Sequence, residues 1–492
     1  MIAKITLHFT GGDTVESRNW IGGEWIEPVG EKVVVKNPSH TEIEVGTITL
    51  SDDSLVLQAG EAARRASRGW AKLTGSARGE FLYKMADLLQ IHSEEVAQLA
   101  SQEMGKPITE MKLEVMRGVH LLRYYAGEGV RTHGQLIPST QIDVVQYSKR
   151  VPLGVVGIIT PWNFPVAIPI WKIAPALICG NTVVWKPAEY ASLTAVRLTE
   201  IFAQVGLPEG VFNLVIGKGS VIGNQMIEKM DVDAISFTGS SMVGSHIAAT
   251  CAKRHIKYQT EMGGKNAAIV LHDADIEKTV PMILSGAFRS AGQKCTATSR
   301  VIVEKGIMNS FIDALRQGIS SVKLSYALDP KAYLGPVASK EQYQTVNSYV
   351  ELARREAEVV VEGANTIQKP GYYIPPLVVK GVGNDHKLVQ EEIFGPVVTL
   401  LPAHDFEEAI QLCNQTVYGL SASIFTKDVN HALRFLDEAE AGMVRVNQET
   451  AGVEYQSPFG GMKLSSSHTR EQGVAALDFY TQWKTCAISY SV

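Results

Sequence analysis

The chain has 492 residues, a formal net charge of -5 at pH 7, 45% hydrophobic residues and 20% charged residues. This length exceeds what one hydrophobic core usually holds, so we expect two or more domains. The composition is that of a globular protein and argues against a disordered chain. The weak negative charge gives no electrostatic reason to expect nucleic acid or an anionic membrane as a partner, and no long apolar run predicts a membrane span.

The cysteine pattern and the N-terminal sequence indicate the cellular compartment of the protein. The five cysteines, at positions 179, 251, 295, 413 and 486, are scattered, and none forms a CxxC pair. This pattern argues against a disulfide framework and against a zinc site, so no metal is expected. The first residues, MIAKITLHFTGG, lack the apolar run and cleavage site of a secretory signal. We therefore expect a cytoplasmic protein.

The predicted elements begin with long helical stretches at 53–104 and 107–127, with Ser51-Asp52-Asp53 available as a cap. Residues 141–150 then alternate like an exposed strand, and residues 485–490 do the same at the other end of the chain. These two strands lie outside the main domains and need edge partners. They are therefore candidates for contacts between subunits.

Between these strands, apolar β-branched runs alternate with amphipathic helical segments. In the first half, strands are predicted at 155–160, 182–186, 212–216 and 234–237, with a helix at 192–205 that ends at Gly206-Leu207-Pro208. In the second half, strands are predicted at 267–271, 300–303, 397–401 and 443–446, and helices at 276–289, 307–319, 339–354, 406–413 and 428–438. Covered parallel sheets show this alternation, so we expect two α/β domains, the first of them doubly wound.

Cys295 is the cysteine whose surroundings favour chemistry. It lies between a predicted helix and a predicted strand, in a small and polar stretch, with Lys294 as its neighbour. A nearby cation and a helix end lower the pKa of a thiol and favour the nucleophilic thiolate. The alternative is a buried structural thiol, which the apolar or helical contexts of the other four cysteines favour.

Two other residues can complete a reaction centre. Glu261 begins the segment EMGG at 261–264, and a partly desolvated glutamate can act as the base that activates water. Asn163 lies in the rigid loop PWNFP at 161–165, where its amide can donate to a developing oxyanion. The alternatives are a solvated turn glutamate and an asparagine bonded within its own turn.

Glycine turns after two predicted strands suggest a phosphate site. Residues 217–223, GKGSVIG, follow one strand, and residues 237–244, FTGSSMVG, follow the next and open a helix. Neither matches GxGxxG, but a strand, a glycine turn and a helix together present backbone N–H groups to a phosphate. Lys186 and Glu189 end another strand, where they can bind ribose hydroxyls or simply form a solvated loop.

Together these segments resemble the aldehyde dehydrogenase superfamily over nearly the whole chain. Seven motifs occur in the family's order: PWNFP, KPAE, FTGSxxxxG, EMGGK, FxxxGQxC, EEIFGP and SPFGG. The resemblance implies an α/β fold with a Rossmann-type dinucleotide-binding domain, an α/β catalytic domain and a small β oligomerisation element. Their implied bounds are 1–137 with 153–262, then 263–461, and finally 138–152 with 462–492. The resemblance also implies a homodimer or a homotetramer.

The resemblance assigns chemical roles. Cys295 would be the nucleophile and Glu261 the base, and the Asn163 side chain with the Cys295 N–H would form the oxyanion hole. The cofactor would be NAD, with NADP possible if Glu189 swings away from the 2′-phosphate. The implied cofactor residues are Trp162, Lys186, Glu189, Gly219, Gly239, Ser240, Gly263, Glu392 and Phe394. Three residues depart from the family's usual choice, but no proposed role uses their side chains: Ser241, Met242 and Thr260.

The substrate residues implied by the resemblance come from several segments: Arg117, Phe164, Trp171, Lys294, Thr296 and Val453. If Arg117 and Lys294 face the pocket, the substrate carries a carboxylate; otherwise Arg117 is an ordinary surface arginine. Residues 451–456 and 465–473 resemble those of 2-oxoglutarate semialdehyde (2,5-dioxopentanoate) dehydrogenases. We therefore expect a small acidic aldehyde as the partner molecule.

The implied reaction passes through a cysteine thiohemiacetal and a thioester that Glu261-activated water hydrolyses. A coenzyme A-acylating relative would pass the acyl group to a thiol instead, and Glu261 favours hydrolysis. The other enzymatic alternatives are a broad-specificity aliphatic or aromatic enzyme and a succinate semialdehyde enzyme. A non-catalytic dinucleotide-binding protein would be expected to lack Cys295 or Glu261, and a cysteine–histidine hydrolase would leave the glycine turns unexplained.

Overall fold

A computed structural model describes residues 15–131 and 134–490. The expectation about the N-terminal twelve residues lies outside this part of the chain. Within the described ranges, no helix combines the length and the apolar character needed to cross a membrane.

The described residues begin with five strands and then four helices, after which strands and helices largely alternate. The strands are β1 Val15–Glu16, β2 Asn19–Ile21, β3 Glu24–Ile26, β4 Glu31–Asn37, β5 His40–Leu50, β6 Gln135–Ile137, β7 Val144–Pro152, β8 Val155–Thr160, β9 Thr182–Pro187, β10 Phe212–Leu214, β11 Ala234–Thr238, β12 Lys257–Glu261, β13 Asn266–Val270, β14 Thr298–Glu304, β15 Glu358–Glu362, β16 Leu377–Lys380, β17 Val397–Ala403, β18 Tyr418–Gly419, β19 Ser421–Phe425, β20 Met443–Val446, β21 Met462–Lys463 and β22 Thr481–Ser489. The helices are α1 Ser54–Lys72, α2 Gly75–Ile91, α3 Ser93–Met104, α4 Ile108–Glu128, α5 Ala167–Ile178, α6 Ser192–Ala203, α7 Asn224–Glu228, α8 Ser241–Lys253, α9 Ile276–Phe288, α10 Met308–Ile319, α11 Lys340–Glu356, α12 Lys387–Gln390, α13 Phe406–Asn414, α14 Val429–Glu438 and α15 Ala476–Tyr480.

Two seven-stranded sheets carry the architecture and confirm the predicted α/β fold. The first has the strand order β12-β11-β8-β9-β10-β2-β3, and the second has the order β15-β16-β17-β14-β13-β19-β20. The neighbouring pairs from β12 to β10 are parallel, and β2 and β3 add an antiparallel edge. Strands β9, β11 and β13 are buried at every residue, as expected when helices cover both faces of a sheet.

The N-terminal region differs most from the predicted elements. The stretch at 53–104 is three helices rather than one, because Thr74 is extended and its side chain accepts a hydrogen bond from Ala77 N to start α2. The carboxylate of Asp52, not that of Asp53, accepts a hydrogen bond from the backbone N–H of the first residue of α1. Strands β1 to β5 were not predicted, since the patterns at 15–50 are short and edge-like. The predicted strand at 212–216 is also shorter, ending at Leu214.

The two predicted outer strands pair with each other. Strand β22 lies antiparallel to β7 from Thr481 opposite Pro152 to Ser489 opposite Val144, and β6 pairs with the other edge of β7. This three-stranded sheet carries exposed apolar side chains, including Leu136, Trp483 and Ile488. It remains a candidate surface for subunit contact.

Candidate active site

The loop that carries Cys295 lies between a short 3-10 turn, Arg289–Gly292, and β14. Ser290 and Ala291 in this turn adopt left-handed backbone angles, with φ of 56° and 55°. Such angles cost energy in non-glycine residues and persist only when surrounding contacts enforce them. Asn266, at the start of β13, donates to the carbonyl of Cys295 at 2.7 Å and to that of Ala297 at 2.9 Å. The nucleophile is therefore held by contacts on both sides.

The predicted low pKa of the Cys295 thiol is wrong. Burial raises the pKa of this thiol, and the carboxylates of Glu392 and Glu261 raise it further. The cation that was expected to lower it is engaged elsewhere, because the Lys294 ammonium lies 4.0 Å from a carboxylate oxygen of Glu110. The resting nucleophile is thus a thiol that must give up its proton to react.

Asn163 faces the Cys295 loop from the other sheet. It follows β8 and is buried, and its Nδ2 donates to the Gln293 carbonyl at 2.9 Å. Gln293 lies two positions before Cys295. An amide donor held at this position can serve a negative oxygen that develops on a group attached to Cys295.

Glu261 ends β12 and is 1% exposed. Ser466 donates a short hydrogen bond to Oε2, while Oε1 has no hydrogen-bond partner among the described residues. Burial raises the pKa of Glu261 well above its usual value, and the nearby carboxylate of Glu471 raises it further. A carboxylate of this kind can accept a proton near neutral pH.

A buried charged network behind Glu261 was missed by the sequence analysis. Glu471 and Lys172 form a buried ion pair, and Glu471 also accepts a hydrogen bond from Trp171 Nε1 at 2.7 Å. The Lys172 ammonium donates to Ser236 as well. A signal existed, because Lys172 is the one charged residue of α5 and every residue of that helix is buried. A buried charge of this kind requires a partner.

A cavity of about 270 Å³ opens beside Cys295. Eight of the predicted cofactor or catalytic residues line it: Trp162, Asn163, Gly239, Ser240, Gly263, Cys295, Glu392 and Phe394. Ser240 caps α8, so the helix N-terminus points at this space, as a pyrophosphate requires. Thr238 Oγ1, also in the wall, is buried and has no hydrogen-bond partner among the described residues. The residues present therefore fit a bound dinucleotide.

The carboxylate of Glu392 lies against the two glycines that follow Met262. The Glu392 carboxylate accepts from Gly264 N at 3.0 Å, and a Cβ added to Gly263 would lie 2.1 Å from it. Burial raises the pKa of Glu392 to about 7. Phe394, with φ of 55°, packs edge-on to Trp162 at 5.6 Å, and Gln342 binds its carbonyl. The EMGG turn thus needs glycine because a carboxylate occupies the space of a side chain.

Three other predicted cofactor residues lie together beyond this cavity. The Glu189 carboxylate accepts from Gly219 N at 2.8 Å and lies 3.5 Å from the ammonium of Lys186. Lys186 is buried, and burial lowers its pKa. The turn at 217–223 is therefore tied to the end of β9, where a ribose would be bound if the dinucleotide follows the sheet edge.

A second cavity, of about 980 Å³, contains two predicted substrate residues, Arg117 and Val453. Val453 and Cys295 both pack against one small apolar cluster that includes Met443, and Met443 and Val453 line this cavity, so the cluster connects the cavity with Cys295, which itself lines the first cavity. Arg117 donates to Gln472 at 2.7 Å, and its buried Nε has no partner among the described residues. Arg445, missed by the sequence analysis, lines the same cavity.

The other four predicted substrate residues contact protein groups. The Phe164 ring lies 3.6 Å from the Lys106 ammonium, Trp171 binds Glu471, and the Thr296 carbonyl accepts from Thr450 at 2.8 Å. The Lys294 ammonium is turned toward Glu110, as described above. The described residues contain no group of three or more metal-ligating side chains.

Comparison with known proteins places this geometry in a family. A model described as "Aldehyde dehydrogenase family" matches residues 25–486. The chain is 48% identical to the alpha-ketoglutaric semialdehyde dehydrogenase of Bacillus subtilis, covering 95% of this chain and 97% of that protein. It is 36% identical to the 2,5-dioxopentanoate dehydrogenase of Saccharolobus solfataricus, covering 96% and 99%. The betaine aldehyde dehydrogenase of Staphylococcus aureus, solved in complex with NAD+, superposes with a TM-score of 0.93 at 34% identity, covering 97% and 95%.

Proposed function

The chain belongs to the aldehyde dehydrogenase family, and we propose that it uses NAD to oxidise an acidic semialdehyde, 2-oxoglutarate semialdehyde, to its carboxylic acid. One observation carries the substrate class: Arg117 and Arg445 line the second cavity, together with Glu449 and Glu454, and this cavity shares Met443 and Val453 with the apolar cluster that Cys295 packs against. Guanidinium groups bind carboxylates with strong, charge-assisted hydrogen bonds. The names of the relatives from Bacillus subtilis and Saccharolobus solfataricus agree with this choice of substrate.

The chemistry follows from the residues around Cys295. The thiol proton of Cys295 passes to solvent water as the sulfur bonds to the aldehyde carbon, and the oxygen that becomes negative accepts from Asn163 Nδ2 and the Cys295 N–H. Bound NAD would supply the acceptor for the hydride that leaves this carbon. A thioester on Cys295 remains. Glu261 then takes a proton from water as the water attacks, the carbon–sulfur bond breaks, and the acid departs.

The cofactor assignment rests on the Glu189 carboxylate. Its negative charge lies where the ribose is expected, tied to Gly219 and Lys186. A 2′-phosphate placed there would be repelled, so NAD is favoured and NADP would require Glu189 to swing away. The remaining role predictions, for Ser240 and Gly239 at the pyrophosphate and for Glu392 and Phe394 at the nicotinamide ribose and ring, fit the same path.

The test compares two aldehydes and two arginine variants. Arg117→Met should lower kcat/KM for 2-oxoglutarate semialdehyde by about 10- to 100-fold, the equivalent of one charge-assisted hydrogen bond, and leave propanal nearly unaffected. The matched control is Arg123→Met, because Arg123 lies on the same helix but binds Asp87 and Gln90 at the surface. Equal losses for both aldehydes, or no loss for the acidic one, would contradict the proposed substrate class.

We further propose that the three-stranded sheet of β6, β7 and β22 joins subunits into a dimer or tetramer. Its exposed Leu136, Trp483 and Ile488 support this proposal. Light scattering after size-exclusion chromatography tests it, since Trp483→Glu should shift the protein toward the monomer. The cytoplasmic location stays a prediction, and all five cysteines are free thiols, as that location requires.

A further inference from the structure

Three charged side chains lie on one face around the start of α4, spaced four residues apart. Lys106 precedes the helix, Glu110 lies in its first turn, and Glu114 follows one turn later. Lys106 and Glu114 are 2% and 4% exposed. A buried ion pair contributes little net stability, because taking both charges out of water is costly. The chemistry described above uses none of the three.

Lys106 and Glu114 bind the loop that presents Asn163. The Lys106 ammonium donates to Glu114 Oε2 at 2.6 Å and also to the backbone carbonyl of Asn163. The other Glu114 oxygen accepts from Val166 N at 2.9 Å and from Ala167 N at 3.1 Å, in the first turn of α5. The ion pair therefore fixes the peptide at Asn163 itself and the chain three residues later.

Glu110 binds the loop that presents Cys295. Its carboxylate accepts from Ser290 N at 3.0 Å and from Ser290 Oγ at 2.7 Å. Ser290 is the first of the two residues with left-handed angles, five positions before the nucleophile. These two bonds oppose relaxation of the strained turn. The same helical face thus contacts both loops, and the bond from Asn163 to Gln293 links the loops directly.

We propose that this face of α4 is a positioning device that sets the oxyanion donor Asn163 relative to the Cys295 nucleophile, with Lys106, Glu110 and Glu114 as positioning residues. The inference rests on the proposed function of Asn163 and Cys295. It accounts for two buried charges beside a reaction centre that needs a fixed geometry, since a displacement of about 1 Å can cost about 100-fold in rate.

The main test replaces the buried pair without leaving an unpaired charge, as Lys106→Met with Glu114→Gln. With 2-oxoglutarate semialdehyde and NAD, kcat should fall by about 100-fold, while KM and the Kd for NAD stay within about twofold. In an Asn163→Ala background, the same exchange should lower kcat by less than about a further threefold, because its effect on the rate passes through Asn163. The matched control is Glu103→Gln, a buried carboxylate that binds the first turn of α6 in the same way and should leave kcat unchanged.

An unchanged kcat in the pair exchange, or an equal loss with and without Asn163, would overturn the inference. If the exchanged protein does not fold, Glu110→Ala supplies the second test: kcat should fall at least about 10-fold with the Kd for NAD unchanged, and an unchanged kcat would overturn the inference. Wild-type turnover of 2-oxoglutarate semialdehyde is measured first. Its absence would refute the proposed function, whereas normal wild-type turnover with fully active variants would refute only the positioning role.

Discussion

Removal of the Ser466 hydroxyl should shift the pH dependence of hydrolysis. Ser466 Oγ donates to the Glu261 carboxylate, which lowers the pKa of Glu261 against the larger effect of burial. A hydrogen bond to a charged group contributes about 1.5–3 kcal/mol. Because Glu261 is buried, solvent screens this interaction little. At about 1.4 kcal/mol per pH unit, Ser466→Ala should move the acidic limb of the rate profile upward by about 1–2 pH units.

The sign follows from the protonation state that the base needs. Glu261 must be ionised to take a proton from water, so loss of a bond that stabilises the ionised form demands a higher pH for the same rate. The assay is steady-state NADH formation between about pH 5 and 10, where thioester hydrolysis limits turnover. The control is Ser467→Ala, because Ser467 accepts from Thr260 N and does not bind the carboxylate. An unmoved limb, or a downward shift, would refute this reasoning about Glu261.

Three other perturbations address the same site. Asn163→Ala should lower kcat by about 100- to 1,000-fold, the usual cost of an oxyanion donor, and steady-state kinetics that show less than a fivefold loss would argue against that role. Gly263→Ala should raise the Kd for NAD, measured by titration, by at least about 10-fold, since the added Cβ displaces Glu392, while Gly69→Ala in α1 has open space and should bind NAD normally. Alkylation of Cys295 by iodoacetamide in the free enzyme should accelerate as pH rises, because the raised pKa keeps the thiol protonated at neutral pH; a rate already at its plateau at pH 7 would contradict that direction.

Local patterns predicted the elements that place the site. Strands such as β8 and β11 are continuous apolar runs, and helices such as α9 and α14 have clear amphipathic periods, so their bounds agree with prediction to within a few residues. The strands at 15–50 have no such pattern. They pair mainly with one another, and only the pairing of β2 with β10 joins them to a distant strand of the described residues.

The polar contacts around the site could not be predicted from the sequence. The sign of the pKa shift at Cys295 depends on burial and on where the Lys294 ammonium points, and neither follows from Lys294 being adjacent. The pairs Lys106 with Asn163 and Lys172 with Glu471 join residues 57 and 299 positions apart. A buried lysine in an apolar helix signals that a partner exists, but only the fold shows which one.

The most direct test of the central claim is a single-turnover measurement on Glu261→Gln with 2-oxoglutarate semialdehyde and NAD. The account predicts a burst of NADH equal to the number of active sites, followed by little turnover, and an acyl group on the Cys295 peptide by mass spectrometry. Cys295→Ala in the same experiment should give neither. Full turnover by Glu261→Gln, or a burst without a modified Cys295, would contradict a thioester on Cys295 that Glu261 helps to hydrolyse.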